Sequence, residues 1–327
     1  MKIKKAKYDV AGIGAALLDF TVNVDDAFLK EINLVKGHMQ LVDEKTSARI
    51  LEKISHMEMS VAPGGSSANT LAGVAALGGK GACMGRVGSD SNAERYIGDT
   101  LKAGVESFIK QGGGMTGHAI TFITPDSQRT FATHLGACTG LSLSDIDFSV
   151  IEQSSIIHLE GYLFEPQQQR EICYEAMKRI KDAGGHVSVD LADPSLIGRI
   201  KDVFDDVIDK YADIVFANED EVLAYTGSSE HDGLHILADK TGFAVAKLGA
   251  RGSLIKTGGS VIKVDPFKVD VVNTNGAGDM YAAGILYGLA SGKSPEVAGK
   301  IASYASSLVV SSAGARYNGR IDPVKII

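Results

Sequence analysis

The stretch VDVVNTNGAGDMYAAGILYGLASG, residues 269–292, decides the reading of this chain. A β-branched run leads into Gly276-Ala277-Gly278, and a helix of small and apolar residues follows. Gly276 and Gly278 let the backbone approach a ligand closely. The helix behind them presents unpaired N–H groups and the positive end of its dipole, which favours an anion. Such a turn suits a phosphate, and suits still better the charge that develops on a phosphoryl group in transfer. Asp279 stands out, because a carboxylate beside an anion site repels the anion. In the first turn of a helix an Asp is an ordinary stabilising residue. It is equally suited to take the proton of an attacking hydroxyl.

A second constellation, VAPGGSSANTLAGVAALGG (61–79), repeats the design of a glycine-rich turn entering a small-residue helix. Gly64 and Gly65 permit close backbone approach, and Ser66, Ser67 and Asn69 offer hydrogen bonds to hydroxyl groups. Ser66 or Ser67 also suits the N-cap of that helix, a role compatible with ligand binding.

Around these turns, short apolar runs alternate with helical patterns. Strands are expected near 9–14, 80–87, 156–160, 186–190, 214–217 and 243–247. Helices are expected over 167–182 and over 194–211, the latter started by Asp193 as N-cap and Pro194 at the first position. Strands apolar on both faces and separated by helices predict an α/β fold with a mostly parallel sheet between helical layers. Residues 19–42 and 116–134 break the rhythm with alternating runs (FTVNV, HAITFIT, RTFATHL) and read as half-exposed antiparallel strands of a small lid sheet. With no repeat or linker, the whole of 1–327 reads as one domain.

The 327 residues are 44% hydrophobic and 22% charged, ample for a large core. A formal charge of −7 argues against nucleic acid or an anionic membrane as a partner. The three cysteines, Cys83, Cys138 and Cys173, lie far apart, which suggests neither a disulfide framework nor a zinc site. The N-terminal MKIKKAKYDVAGIGAALLDF is broken by Asp9, Gly12, Gly14 and Asp19, unlike a signal peptide. No run approaches the roughly 18 apolar residues of a membrane span. A cytoplasmic protein is expected. GIGAALLD, from Gly12, has Leu17 where a dinucleotide fingerprint needs its third glycine, and a strand-like run follows, so an NAD-dependent oxidoreductase is disfavoured.

Taken together, PGGSSAN, NEDE (218–221) and NTNGAGD resemble, in order and separation, the PfkB (ribokinase-like) carbohydrate and nucleoside kinases. TFITPDSQRTFATHLGAC is most similar to the adenosine-kinase branch. The resemblance implies a three-layer α/β/α ribokinase-like fold with a small β lid. It also implies transfer of the γ-phosphate of MgATP to a primary hydroxyl of a sugar or ribonucleoside, with Asp279 as general base. By the same resemblance, Asp19, Gly64, Gly65 and Asn69 bind substrate, and Gly276, Ala277 and Gly278 steady the transferring group, with Arg129 near the phosphates. Asn218, Glu221, Lys247, Gly249 and Gly252 serve ATP, and Glu221 organises Mg²⁺ through water. The first motif position, usually an Asp that helps hold a monovalent cation, is here Asn273, which puts K⁺ activation in doubt. A free-sugar kinase of ribose or fructose type, or a non-catalytic sensor on the same fold, stay open as alternatives. So does a homodimer through the lid. Aromatic and apolar candidates for stacking on a base are Phe20, Leu41, Phe122, Phe131, Leu135 and Tyr162.

Overall fold

The computed structural model describes residues 2–126 and 128–326. Its centre is a nine-stranded sheet. In spatial order the strands are Ser260–Val264, Ser253–Thr257, Phe243–Lys247, Ile214–Asn218, His186–Asp190, Ser154–Glu160, Tyr8–Ile13, Gly81–Met84 and Glu106–Ser107. From Phe243–Lys247 to Glu106–Ser107 every pairing is parallel; Ser253–Thr257 turns back antiparallel and carries the edge strand with it.

The apolar runs of the sequence are explained by burial on both faces. On Ile214–Asn218, Ile214 and Phe216 pack with Ile285, Leu286 and Ile301 on one side. Val215 and Ala217 pack with the opposite helices through residues such as Met177 and Phe204. Helices Ser66–Ala76, Ala277–Ala290 and Pro295–Val310 cover the first face, while Gln167–Asp182, Lys201–Lys210 and Glu230–Thr241 cover the second. This is the expected α/β/α arrangement.

Three local readings are corrected. The helix expected over 194–211 is two helices, Pro194–Arg199 and Lys201–Lys210, because Ile200 leaves helical geometry at φ −129 and ψ 34. The run 80–87 divides into Gly81–Met84, in the large sheet, and Arg86–Val87, which pairs with Lys110–Gln111. Ser66 and Ser67 are not the N-cap of their helix: Gly65 is, at φ 86, where any Cβ would collide with the Ala15 carbonyl oxygen.

A smaller five-stranded sheet has the order Met39–Leu41, Arg129–His134, Gly117–Ile123, Leu17–Asn23, Met59–Pro63. Its strands are not uniformly antiparallel. Leu17–Asn23 lies parallel to Gly117–Ile123, and Met39–Leu41 parallel to Arg129–His134, because each pair joins segments far apart in sequence. Leu18, Phe20, Val22, Ile120 and Phe122 form its buried face, with Leu29, Ile50 and Ile54 from the helices Asp26–Glu31 and Glu44–Ile54. By alternation, Asp19, Thr21, Phe131 and Thr133 project from the other face.

Candidate active site

Polar and ionisable residues gather where the parallel strands end. Glu160, Asp190, Asn218 and Lys247 each terminate a strand, and their registers match: Glu160 lies beside Asp190, and Asn218 beside Lys247. The carboxyl edge of an open α/β sheet is where such folds build ligand crevices. The two glycine-rich turns open onto the same edge.

Asp279 lies in the first turn of Ala277–Ala290, whose N-cap is Gly276 at φ 75. A side chain at Gly276 would run into the Ala315 carbonyl oxygen, so the turn admits only glycine. The Asp279 carboxylate accepts from Ser66 Oγ at 2.7 Å and from Asn69 Nδ2 at 2.8 Å. Thr70 Oγ1 donates to its backbone carbonyl at 3.2 Å. Both glycine-rich motifs therefore meet at one carboxylate. Burial raises the Asp279 pKa above the ordinary aspartate value, against the pull of the Asn69 and Ser66 hydrogen bonds.

Asp19 sits across from this group on Leu17–Asn23. A Cβ built on Gly64 would lie 2.6–2.7 Å from the Asp19 carboxylate, which explains the glycine. Burial lifts the Asp19 pKa to about 6, with Arg316 opposing and Asp279 reinforcing the shift. Arg316 donates from Nε to Asn69 Oδ1 at 2.7 Å and from Nη2 to the Gly64 carbonyl at 3.1 Å.

On the other flank of Asp279, Lys247 Nζ is 2.7 Å from Asp190 Oδ2 and borders the Gly278 backbone. Burial disfavours the Lys247 ammonium, but Asp190 and Glu221 outweigh it and hold its pKa above the ordinary lysine value. Asn218 and Glu221 form a reciprocal capping box on Glu219–Thr226. Both Glu221 carboxylate oxygens accept from Asn218, at 2.7 and 2.6 Å. Burial still raises the Glu221 pKa to about 7, with Lys247 opposing and Asp190 adding to the rise. Gly249 and Gly252 shape the hairpin turn that returns the chain to Ser253–Thr257.

Arg129 reaches out of the smaller sheet to Asn273, the first residue of NTNGAGD. Phe20 and Phe122 are closed into the core of that sheet and cannot contact a ligand. Leu41, Leu135 and Tyr162 are exposed, and Phe131 is half-buried.

Comparison with known proteins fits this geometry. The family model described as pfkB family carbohydrate kinase matches residues 34–321. The chain belongs to that family. The pfkB kinase fold is shared with the crystal structure of adenosine kinase from Sinorhizobium meliloti, at 34% identity and TM-score 0.87 over 98% of each chain. It is shared equally with a probable sugar kinase from Rhizobium etli CFN 42, at 31% identity and TM-score 0.87 over 98% of this chain and 97% of the other. The 5-dehydro-2-deoxygluconokinase of Bacillus subtilis is 28% identical over 93% of this chain and 90% of its own.

For a pfkB kinase the sequence left several neighbours of Asp279 unseen. Ser66 was legible as a cap or as a partner for ligand hydroxyls, and it instead donates to Asp279. Glu160 accepts from the backbone N–H groups of Ala15 and Ser67, each at 2.9 Å, and so ties the first strand's end to the glycine turn. Glu160 and Asp190 each close a strand, in His158-Leu159-Glu160 and Ser188-Val189-Asp190, whereas Asp19, read as a strand-end acid, stands inside Leu17–Asn23 because the chain resumes a strand after Gly14. Arg316, in AGARYNGR, has no local signal. Among the described residues, no group of three or more His, Cys, Asp or Glu could chelate a metal directly. Asp190 and Asp193 are hard oxygen donors close enough to Glu221 to raise its pKa, and all three carboxylates already accept from protein donors. That donor set fits Mg²⁺ held through water and phosphate oxygens. Among the described residues, no helix is long and apolar enough to cross a membrane.

Proposed function

We propose that this kinase transfers the γ-phosphoryl group of ATP to the primary hydroxyl of a ribonucleoside of adenosine type, with Asp279 as general base. The observation that carries the reading is the seating of Asp279. Its carboxylate lies at a helix N-terminus and is held by Ser66 and Asn69, which belong to the turn packed against Asp19. A base and a polyol-binding carboxylate thus serve one crevice.

In this reading Asp19 accepts hydrogen bonds from two adjacent ribose hydroxyls, which directs the remaining hydroxymethyl group toward Asp279. The Asp279 carboxylate takes the hydroxyl proton as the new O–P bond forms, and the bond from the γ-phosphorus to the β-phosphate oxygen breaks to release ADP. The N–H groups of the Gly276–Gly278 turn receive the charge on the transferring group. Arg129 and Lys247 add positive charge on either side. Bound Mg²⁺, with Glu221 orienting its waters, would neutralise phosphate charge.

A nucleoside is favoured over a free sugar by the smaller sheet. Leu41 pairs with Thr133, Thr133 with Ala119 and Ala119 with Asp19, so one row of side chains runs from Asp19 to an exposed leucine. The adjacent row brings Met39 and Phe131 to the same face. These exposed or half-buried apolar side chains could cover a base, and a free sugar has nothing to place against them. The likeness to a probable sugar kinase and to 5-dehydro-2-deoxygluconokinase supports the second reading, a sugar acceptor bound through Asp19 alone.

The test is ADP release from ATP with adenosine, inosine, cytidine, D-ribose and D-fructose, with ³¹P detection of the product ester. A kcat/KM for adenosine about tenfold or more above both sugars supports the nucleoside reading. Preference for a sugar overturns it, and absence of turnover with every acceptor favours a sensor.

A further inference from the structure

After Pro295–Val310 the chain returns across both glycine-rich turns. Ala313 O accepts from Asn273 Nδ2 at 2.9 Å, and the Ala315 carbonyl closes against Gly276. Arg316 then spans Asn69 Oδ1, at 2.7 Å from its Nε, and Gly64 O, at 3.1 Å from its Nη2. These contacts determine which way Asn69 faces. A guanidinium only donates and a carboxylate only accepts, so an amide between them must turn its oxygen to Arg316 and its nitrogen to Asp279. We infer that Arg316 is a positioning residue for phosphoryl transfer: through Asn69 it orients the amide that holds the Asp279 carboxylate, and through Gly64 it holds the turn packed on Asp19.

This inference rests on the reading of Asp279 as base. Arg316 acts at two points, and the two have separate kinetic signatures. Loss of the Asn69 contact lets the amide rotate and leaves Asp279 with Ser66 as its sole side-chain donor, which lowers kcat. Release of Gly64 loosens the wall of the Asp19 pocket, which raises the acceptor KM. The nucleotide flank, with Lys247, Asn218 and Glu221, touches neither point. A plain structural tie would instead affect all parameters together with stability.

The experiment uses the full-length kinase with ATP and adenosine, or whichever acceptor the panel selects. Arg316→Met, which keeps the stem and removes every donor, is expected to lower kcat about tenfold and raise acceptor KM about fivefold, with ATP KM within about twofold of wild type. Combined with Asn69→Ala, it should add less than about twofold to the kcat loss of Asn69→Ala alone, because both act on one contact. Arg316→Lys keeps the charge but replaces the planar fork, whose Nε and Nη2 reach Asn69 and Gly64 separately, with one point donor, and should fall between wild type and Arg316→Met. Kinetics of wild type in either variant, multiplying kcat losses in the double variant, or an ATP KM that rises as much as the acceptor KM would overturn the inference. If Arg316→Met does not fold, Arg316→Lys decides alone: a kcat/KM within about twofold of wild type refutes the two-point bridge. Asp279→Asn is run alongside. Full turnover in that variant refutes the base, while the Arg316–Gly64 contact is still read independently in acceptor KM.

Discussion

Arg129 Nη1 donates to Asn273 Oδ1 at 3.0 Å, joining the smaller sheet to the first residue of the motif that carries Asp279. The same oxygen accepts from Asn275 N at 3.0 Å, and the amide nitrogen donates to Ala313 O at 2.9 Å. The amide is buried, and both its oxygen and its nitrogen are engaged. A neutral side chain and a guanidinium thus occupy a position where a carboxylate could attract a monovalent cation.

The first prediction follows from that pairing. Turnover should agree within about twofold in K⁺, Na⁺ and tetramethylammonium chloride at matched ionic strength, because no net negative charge at Asn273 calls for a counter-ion. Steady-state rates in the three salts check it. Activation of about tenfold or more by K⁺ alone would show that backbone oxygens suffice to hold the ion.

Acid should switch the enzyme off through Asp19. Burial raises its pKa to about 6, so the carboxylate is ionised above that pH and protonated below it. In the proposed role the ionised form accepts from the acceptor's hydroxyls, so kcat/KM for the acceptor should fall as pH drops through about 6, approaching tenfold per unit. Asp19→Asn should lower kcat/KM throughout and flatten this limb. A limb that stays in place in Asp19→Asn assigns it to another group, with Asp279 the first candidate because its own pKa is raised by burial.

Two neighbouring glycines should respond differently to alanine. At Gly64 the added methyl presses on the Asp19 carboxylate, a side-chain group that can shift by rotation. At Gly65 it meets the Ala15 carbonyl on a backbone already at positive φ. Gly64→Ala should therefore fold and raise acceptor KM about tenfold or more, whereas Gly65→Ala should lose roughly 2–4 kcal/mol of stability. Thermal unfolding with acceptor titrations separates the two, and equal losses of stability would contradict the assignment.

What was legible in the sequence follows a physical pattern. Strands buried on both faces leave unbroken apolar runs, so Phe243–Lys247 and Ile214–Asn218 are read within a residue or two. Gln167–Asp182 is a long amphipathic helix and is recovered over its full length. The break at Ile200 is not legible, because the apolar spacing continues through it and only the backbone departs from helical geometry. The parallel pairings of the smaller sheet depend on which distant segments meet, and alternation along one strand carries no information about that. The site divides in the same way. Asp279 and the glycines announce themselves by local chemistry, whereas Arg316 acquires its place only when the chain after the last long helix returns to Asn69.

Asp279→Asn tests the centre of the site and couples activity to stability. An amide in place of the carboxylate retains one acceptor for Ser66 or Asn69, yet it has no useful basicity at neutral pH. Turnover should fall by about 10²-fold or more, with acceptor KM changed only severalfold, because the proposed contacts of Asp19 and the glycine turn with the acceptor are untouched. The stability effect has the opposite sign. Burial raises the folded-state pKa of Asp279, so its ionised form is the one the fold disfavours, and the associated stability is lost as pH rises through that pKa. Removing the charge relieves this cost, so the unfolding temperature of Asp279→Asn at neutral pH should equal or exceed that of the wild type. Paired kinetics and thermal unfolding of the variant decide the matter. Near-normal turnover excludes Asp279 as the base, and a marked fall in unfolding temperature would mean that the carboxylate is held for the fold through Ser66 and Asn69 and not for chemistry.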